Sequence, residues 1–485
     1  MSSPRAFTRL PETDSHYKKT KDYIEEIPDA DYSKAPPESL EAFRDMKFAV
    51  RIHWGLYSEW ELNGESWQFL GMPYAHKAEY MRLIHRFNPT AFDAEAWMQF
   101  FADSGLEAFT FTTKHHEGFS LFDTKTRVKK KIDWAADGGP QTIATDEAFS
   151  VMESPFKRDI VRELCDAARK KNIKIGLYFS HPDWYDADFA PYVYHPGITA
   201  DYLELTNYEK EIRTPDGKTN LPLPAVTPAQ EDRMVARHMG QLEELLTNYG
   251  EVFMLCLDMW FGPRIWPRIK ENIKKARLLQ PKVLMRARGI GNYGDYYTPE
   301  NFVPGAPENT DMPWMVIQGL GSSFSFDAVG ENYKGTGWIL RKLFESVSKG
   351  GAFMVGIGPD RTGVFHPEAV RQLRGAGEWL KIYGAAVYAT RMYDPAHYQE
   401  QHEDHTNYFT ASKDGRTVYC IYYGEVHRVW IDLPRRAFAA ITLLTPQGER
   451  PVPPNLVEEE ENRFKVKTGI PAGFKYAGVI KLTLA

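Results

Sequence analysis

The stretch DIVRELCDAARKKNIKIGLYFSHPDW (159–184) decides the fold. Its first half, DIVRELCDAARKKN (159–172), carries apolar residues at helical spacing and reads as a helix. Its second half, IKIGLYFS (173–180), is a nearly continuous apolar run. A strand of that kind is covered on both faces, which is the habit of parallel sheets packed under helices. Polar and aromatic residues, His181 and Trp184, come directly after the strand end.

The same unit recurs in both directions. KFAVRIHW (47–54) and EAFTFTT (107–113) read as strands, with AFDAEAWMQFFADSG (91–105) a helix between them. EDRMVARHMGQLEELLTNYG (231–250) is a helix leading into the strand VFMLCLD (252–258). A helix around 265–279, strands at 282–287 and 314–318, a helix around 336–348, the strand AFMVGIG (352–358) and a helix at 366–383 complete the series. Repeated strand–helix alternation predicts the α/β class, a (β/α)8-like barrel. An open doubly wound sheet is disfavoured because no glycine-rich phosphate fingerprint follows the first strand. After residue 391 the texture changes to short β-type runs between turn residues, which predicts a C-terminal all-β sandwich. The expected organisation is an extended N-terminal lead-in (1–43), a catalytic barrel (44–391) and the sandwich (392–485).

Composition narrows the function classes. The 59 Lys and Arg against 65 Asp and Glu leave a net charge of −6, with no basic footprint for nucleic acid. The three cysteines, Cys165, Cys256 and Cys420, are too few and too scattered for a disulfide framework or a thiolate metal site. No apolar run is long enough to span a membrane, and the N-terminus lacks the apolar core of a signal peptide. A cytoplasmic protein or a signal-trimmed secreted or periplasmic form is expected, and a homo-oligomer is compatible with the sequence.

In such a barrel, chemistry sits at the C-terminal ends of the strands. Read in order, those ends carry His53-Trp54; Lys114-His115-His116-Glu117 within TTKHHEGF (112–119); Tyr178 to His181 with Trp184; Asp258-Met259-Trp260; and Arg286 with Arg288. Ionisable and aromatic groups at five successive ends make one candidate site. Asp258, directly after an apolar strand, is a nucleophile, a metal ligand, or a buried partner of Arg286 or Arg288. His53, His115, His116 and Asp258 suggest a metal-dependent barrel hydrolase as one alternative. Against it, adjacent strand residues point to opposite faces, so His115 and His116 are not expected to meet one ion, and no HxH or HExxH spacing is present.

These blocks resemble glycoside hydrolase family 29, the retaining α-L-fucosidases. KFAVRIHWGLYS (47–58) is similar to that family's opening strand and TTKHHEGFSLFDT (112–124) to its paired-histidine motif. KRDIVRELCDAARKKNIKIGLYFSHPDW (157–184), LTNYGEVFMLCLDMW (246–260), GDYYTPE (294–300) and SKGGAFMVGIGPDRTG (348–363) resemble four further blocks in the same order. The resemblance implies an exo-acting α-L-fucosidase on fucosylated oligosaccharides or glycoconjugates. It also implies a covalent fucosyl-enzyme intermediate, with no metal or organic cofactor and no nucleic-acid or membrane partner. It places the nucleophile at Asp258 and a fucose pocket at His53, Trp67, Lys114, His115, His116, Tyr178 and Arg288. Trp184 and Trp260, close by in the chain, are assigned to the same pocket.

The acid/base is assigned less directly. Some members of the family carry it in the segment matching Glu300, and others in a Trp-Glu pair that here reads Trp314-Met315. Methionine transfers no proton, so Glu300 is the expected acid/base, with Glu308 in reserve. The insertion at 186–230 comes after the third strand, and its Tyr192, Tyr194 and Tyr202 are candidates for a glycan platform or a packed surface flap. Besides the metal-dependent hydrolase, a carbohydrate-binding homologue with impaired catalysis and an α-L-galactosidase variant stand as alternatives.

Overall fold

The computed structural model describes residues 20–190, 195–196, 226–304, 312–469 and 476–485. Glu308 and the tyrosines 192, 194 and 202 lie outside the described residues.

Seven parallel strands form the central sheet among the described residues: β1 (Phe48–Ile52), β2 (Ala108–Lys114), β5 (Lys174–Ser180), β6 (Met254–Asp258), β7 (Leu284–Met285), β8 (Met315–Gly319) and β9 (Ala352–Ile357). Their order is β7-β6-β5-β2-β1-β9-β8. An antiparallel hairpin, β3 (Val128–Asp133) and β4 (Gln141–Glu147), is inserted after β2. The longer helices among the described residues are α1 (Pro37–Asp45), α2 (Ala94–Asp103), α3 (Ile160–Lys170), α4 (Pro228–Thr247), α5 (Trp266–Leu279), α6 (Thr336–Ser348) and α7 (Pro367–Tyr383); shorter ones, Gln68–Gly71 and Tyr74–Met81, lie between α1 and α2. Helix α2 packs on α3, α4 on α5 and α6 on α7.

Local chemistry starts these helices where the sequence suggests. Asp93 and Asp159 accept hydrogen bonds from the backbone N–H groups of Ala96 and Arg162, which have no intrahelical partner. Thr227 and Gln230 form a reciprocal capping box ahead of Pro228.

The sheet curls. Ala49, Ala108, Met254, Leu284, Met315 and Ala352, one residue from each of six strands, share one small cluster with Phe43 and Met46 at the end of α1. That is possible only if the N-terminal strand ends bend round a common axis. The two edges of the sheet are β7 and β8, and residues 295–301 run between them. Ala287 N–H donates to Tyr296 O (2.8 Å), Met315 N–H to Tyr297 O (3.1 Å) and Ile317 N–H to Pro299 O (3.0 Å). The pairing is broken into isolated parallel bridges, in part because Pro299 has no N–H to give. Among the described residues the regular sheet therefore has seven strands, where a (β/α)8-like barrel was expected.

The C-terminal part holds two antiparallel sheets. One has the order β10-β12-β13-β19-β15-β16 with β11 paired to β12, and the other β14-β18-β17. Their strands are β10 (Arg391–Met392), β11 (Gln399–Gln401), β12 (Thr406–Ala411), β13 (Thr417–Tyr423), β14 (Arg428–Ile431), β15 (Phe438–Thr445), β16 (Gly448–Pro451), β17 (Val457–Glu459), β18 (Phe464–Lys467) and β19 (Ala477–Leu484). Phe409, Cys420, Val429, Ile431, Val466 and Ile480 come from both sheets and bury together. Trp379 of α7 donates its indole N–H to Ala477 O (2.9 Å), tying this part to the parallel sheet's helices. No helix among the described residues is long and apolar enough to cross a membrane.

Asp295 joins three parts of the fold. It accepts from Ala35 N–H (2.9 Å), from Met285 N–H (2.7 Å) and from the buried Arg277 guanidinium of α5. Asp295→Ala leaves that guanidinium without its counter-ion and is expected to cost about 3–5 kcal/mol. Urea unfolding of the two proteins checks this, and a change under about 1 kcal/mol contradicts it.

Candidate active site

Parallel register lines up the strand ends: Ile52 lies opposite Phe111 and Ile357, and Ser180 opposite Asp258. Side chains just beyond those points gather at one rim.

Asp258 closes β6 and is buried. Its Oδ2 accepts from the Tyr178 hydroxyl (2.6 Å). Its Oδ1 faces Arg286 Nη2 (2.8 Å) and Arg288 Nη1 (3.0 Å) and accepts from Met259 N–H (2.9 Å). Burial opposes ionisation, but the Arg286 and Arg288 guanidiniums and the Tyr178 hydroxyl hold the carboxyl well below its usual range. The same Arg288 Nη1 donates to Glu300 Oε2 (3.0 Å). Asp258 Oδ1 and Glu300 Oε2 are therefore no more than about 6 Å apart.

The chain turns sharply to allow this. Gly289 has φ +79°, and a Cβ there would lie 2.1 Å from Met259 O and 2.8 Å from the His181 ring. Only glycine lets the turn that carries Arg288 pass so close to the end of β6.

The histidines are fixed by hydroxyl groups. Thr112 Oγ1 gives its one proton to Ile52 O (2.9 Å), so the His53 Nδ1 it also contacts (2.8 Å) is the donor in that pair. Ser180 Oγ likewise donates to Pro182 O (3.1 Å), which makes His116 Nδ1 (2.6 Å) the donor. Each imidazole is left with an acceptor lone pair on Nε2. Burial first, then neighbouring positive groups, holds both rings well below the usual histidine range, so they are neutral at pH 7. Among the described residues His116 Nε2 has no hydrogen-bond partner. His115 Nδ1 contacts Ser66 Oγ, and its ring stacks at 16° on Tyr178.

One expectation is corrected here. His115 and His116 do not point to opposite faces: their ring centroids are 4.0 Å apart. Strand β2 ends at Lys114, and a bulge between Thr112 and Lys114 precedes a turn, so strand alternation does not apply beyond it.

The remaining residues divide. Trp67 meets His116 edge to face at 4.7 Å, and Trp184 lies 5.3 Å from the same ring. Trp260, two residues beyond Asp258, is buried. Lys114 faces Asp183 (3.5 Å) and the Phe179 ring (4.5 Å), and Arg237 of α4 converges on the same carboxylate. Burial, offset by Asp183, brings Lys114 down to about 8. The structure thus groups His53, His115, His116, Trp67, Tyr178, Asp258, Arg288 and Glu300, and turns Lys114 toward α4. Among the described residues, His53, His115, His116 and Asp258 do not bring three ligand atoms within 4.8 Å of one another.

Sequence reading did not single out Ser66, Thr112 and Ser180, whose hydroxyls orient the histidines, nor Glu65. Glu65 is buried, and its carboxyl is raised above the usual range by burial, with His115 and Glu300 as its ionisable neighbours. A carboxylate beside Trp67 was the available signal.

With this geometry in view, comparison with known proteins defines the class, a glycoside hydrolase. A family model described as Alpha-L-fucosidase matches residues 13–385. The plasma alpha-L-fucosidase of Pongo abelii is 26% identical over 421 residues, covering 79% of this chain and 78% of that protein. In structure, the chain is similar to alpha-L-fucosidase isoenzyme 1 from Paenibacillus thiaminolyticus, with a TM-score of 0.70, 24% identity and coverage of 92% and 99% of the two chains. A GH29 alpha-L-fucosidase from Bacteroides thetaiotaomicron, solved as a trapped covalent intermediate with 2-fluoro-fucosyl fluoride, gives 0.71 at 23% identity, covering 95% and 100%. The chain belongs to the alpha-L-fucosidase family.

The charge on Asp258 is also a stability statement. Its folded value lies below the unfolded one of about 3.9, so its contribution is complete above that pH and lost as pH falls toward the folded value. The stability gap between wild type and Asp258→Asn should be on the order of 3 kcal/mol at pH 7 and narrow below about pH 4. Urea midpoints measured from pH 7 to pH 3 check this, and a gap independent of pH contradicts it.

Proposed function

We infer that this chain is an exo-acting retaining α-L-fucosidase that releases terminal fucose from fucosylated glycans. The observation that carries the reading is Arg288 Nη1, 3.0 Å from both carboxylates. Retention requires two carboxyl groups about 5–5.5 Å apart, and the limit of about 6 Å between these oxygens suits it.

In this mechanism Asp258 attacks the anomeric carbon while Glu300 protonates the leaving oxygen. The fucosyl ester is then hydrolysed by a water that Glu300 deprotonates. Asp258, held by two guanidiniums and a tyrosine hydroxyl, keeps its charge. Glu300, sharing one guanidinium and partly open to solvent, is left to carry the proton. Arg288 stabilises whichever carboxylate is ionised at each step. The lone pairs of His53 and His116 accept from sugar hydroxyls, while the Trp67 and Trp184 rings supply an apolar wall. The covalent intermediate trapped in the Bacteroides thetaiotaomicron protein supports the route. Glu65 is a second reading for the proton donor, favoured by its burial beside Glu300.

The same proposal takes residues 295–301 as the irregular eighth stave of a (β/α)8-like barrel at 44–391. It takes 1–43 as a lead-in and 392–485 as an accessory β-sandwich.

Asp258→Ala is expected to abolish turnover of aryl α-L-fucosides and glycans alike. Glu300→Ala should slow release from a natural glycan by about 10²–10⁴-fold. It should slow an activated aryl fucoside far less, because that leaving group needs no proton. Unchanged glycan hydrolysis in Glu300→Ala, with loss in Glu65→Gln, moves the acid/base to Glu65. Turnover by Asp258→Ala sinks the mechanism.

A further inference from the structure

The run HYQEQHEDH (397–405) holds three histidines and three acidic residues, and the catalytic reading uses none of them. Glu400 and His402 stand two apart around β11, so they project to the same side of the strand. Asp432 reaches the same place from the end of β14, which belongs to the other sheet. One ligand atom from each of Glu400, His402 and Asp432 lies within 4.8 Å of the others.

We propose that Glu400, His402 and Asp432 form a divalent-metal site, best suited to zinc, that staples the two C-terminal sheets together. Two features point to it. Glu400 and Asp432 bring two carboxylates close together, an arrangement that favours a cation between them. Among the described residues the Asp432 side chain makes no hydrogen bond, while its backbone N–H donates to Glu400 Oε1 (3.0 Å). Its carboxylate is thus held at the cluster by its own main chain, with its oxygens still uncommitted.

Around this core the supporting groups are already in place. His402 Nε2 is 3.3 Å from Glu400 Oε2, and its ring is stacked on His405 (4.5 Å, 17°), whose Nδ1 is bound to Asp404. Asn407 donates to both Glu400 Oε2 (2.7 Å) and Trp430 O (2.6 Å), so it braces the ligand carboxylate against β14. His397 Nε2 contacts Glu400 Oε1 (2.5 Å) and holds that carboxylate from the other side. Such partners fix the orientation of metal ligands.

One imidazole and two carboxylates, with water completing a tetrahedron, suit zinc better than calcium or magnesium, which take oxygen alone. Zinc bonds of about 2.0–2.2 Å require the ligand atoms to close in by roughly 1 Å, which rotation of the exposed Asp432 side chain supplies. Direct hydrogen bonding of His397 and His402 to Glu400 is the competing account, and it binds no ion.

Calorimetric titration of the chelator-treated full chain with zinc chloride at pH 7.5 tests the site. The expected result is one saturable site, a rise of a few degrees in the unfolding midpoint, and loss of both in His402→Ala and in Asp432→Asn. Asp432 is exposed, so its variant should fold, and aryl-fucoside turnover by both variants should match wild type. No saturable binding overturns the proposal, as does wild-type binding retained in either variant.

Discussion

One guanidinium sets the terms for the rest of the molecule. Arg288 holds Asp258 and Glu300 with a single nitrogen, and two carboxylates so close in a buried site would otherwise repel. Arg286 adds a second positive charge on Asp258 while its own Nε is anchored to Leu257 O (2.6 Å). The result is a carboxylate charge fixed in one place, with its neighbours locked by packing instead of by solvent. Buried ion groups of this kind contribute little net stability and are costly to break, so their value is geometric.

Much of the fold can be understood as support for that geometry. Strand β6 delivers Asp258 in register with Ser180 of β5, and Ser180 orients His116. Gly289 lets the chain turn back so that Arg288 lies over the end of β6. Residues 295–301 then carry Glu300 between the two sheet edges. Asp295, at the start of that segment, is held by Arg277 from helix α5 and by the backbone of β7. The acid/base candidate therefore sits on a segment braced at its base, although the segment is too irregular for a full strand.

Legibility in the sequence tracked the strength of the local signal. Strands such as VFMLCLD and AFMVGIG, and helices with aspartate or threonine caps, stand out because their apolar runs and start signals are local. The hairpin β3–β4 does not stand out, since VKKKID and QTIATDE are polar, β3 mostly half-buried and β4 mostly exposed, with little hydrophobic pattern to read. The irregular segment at 295–301 was hidden for another reason: its broken pairing joins two edges, at Met285 and Ile317, that are far apart in the chain. At the site, the residue types were readable from five strand ends. Their directions were not, as Lys114 shows by turning to Asp183 while His115 and His116 turn together.

The sequence by itself determined the α/β class, the β-rich C-terminal part and the rim on which the ionisable residues gather. Those depend on periodicity and on the residues just past each strand end, which are properties of neighbours in the chain. Only the tertiary structure decided which carboxylates share an arginine, which histidine nitrogen carries the proton, and which side of the sheet Lys114 occupies. These depend on contacts between residues tens to hundreds of positions apart, such as Thr112 with His53 and Arg288 with Asp258. No local pattern encodes a distance of 3.0 Å across the rim of a curled sheet.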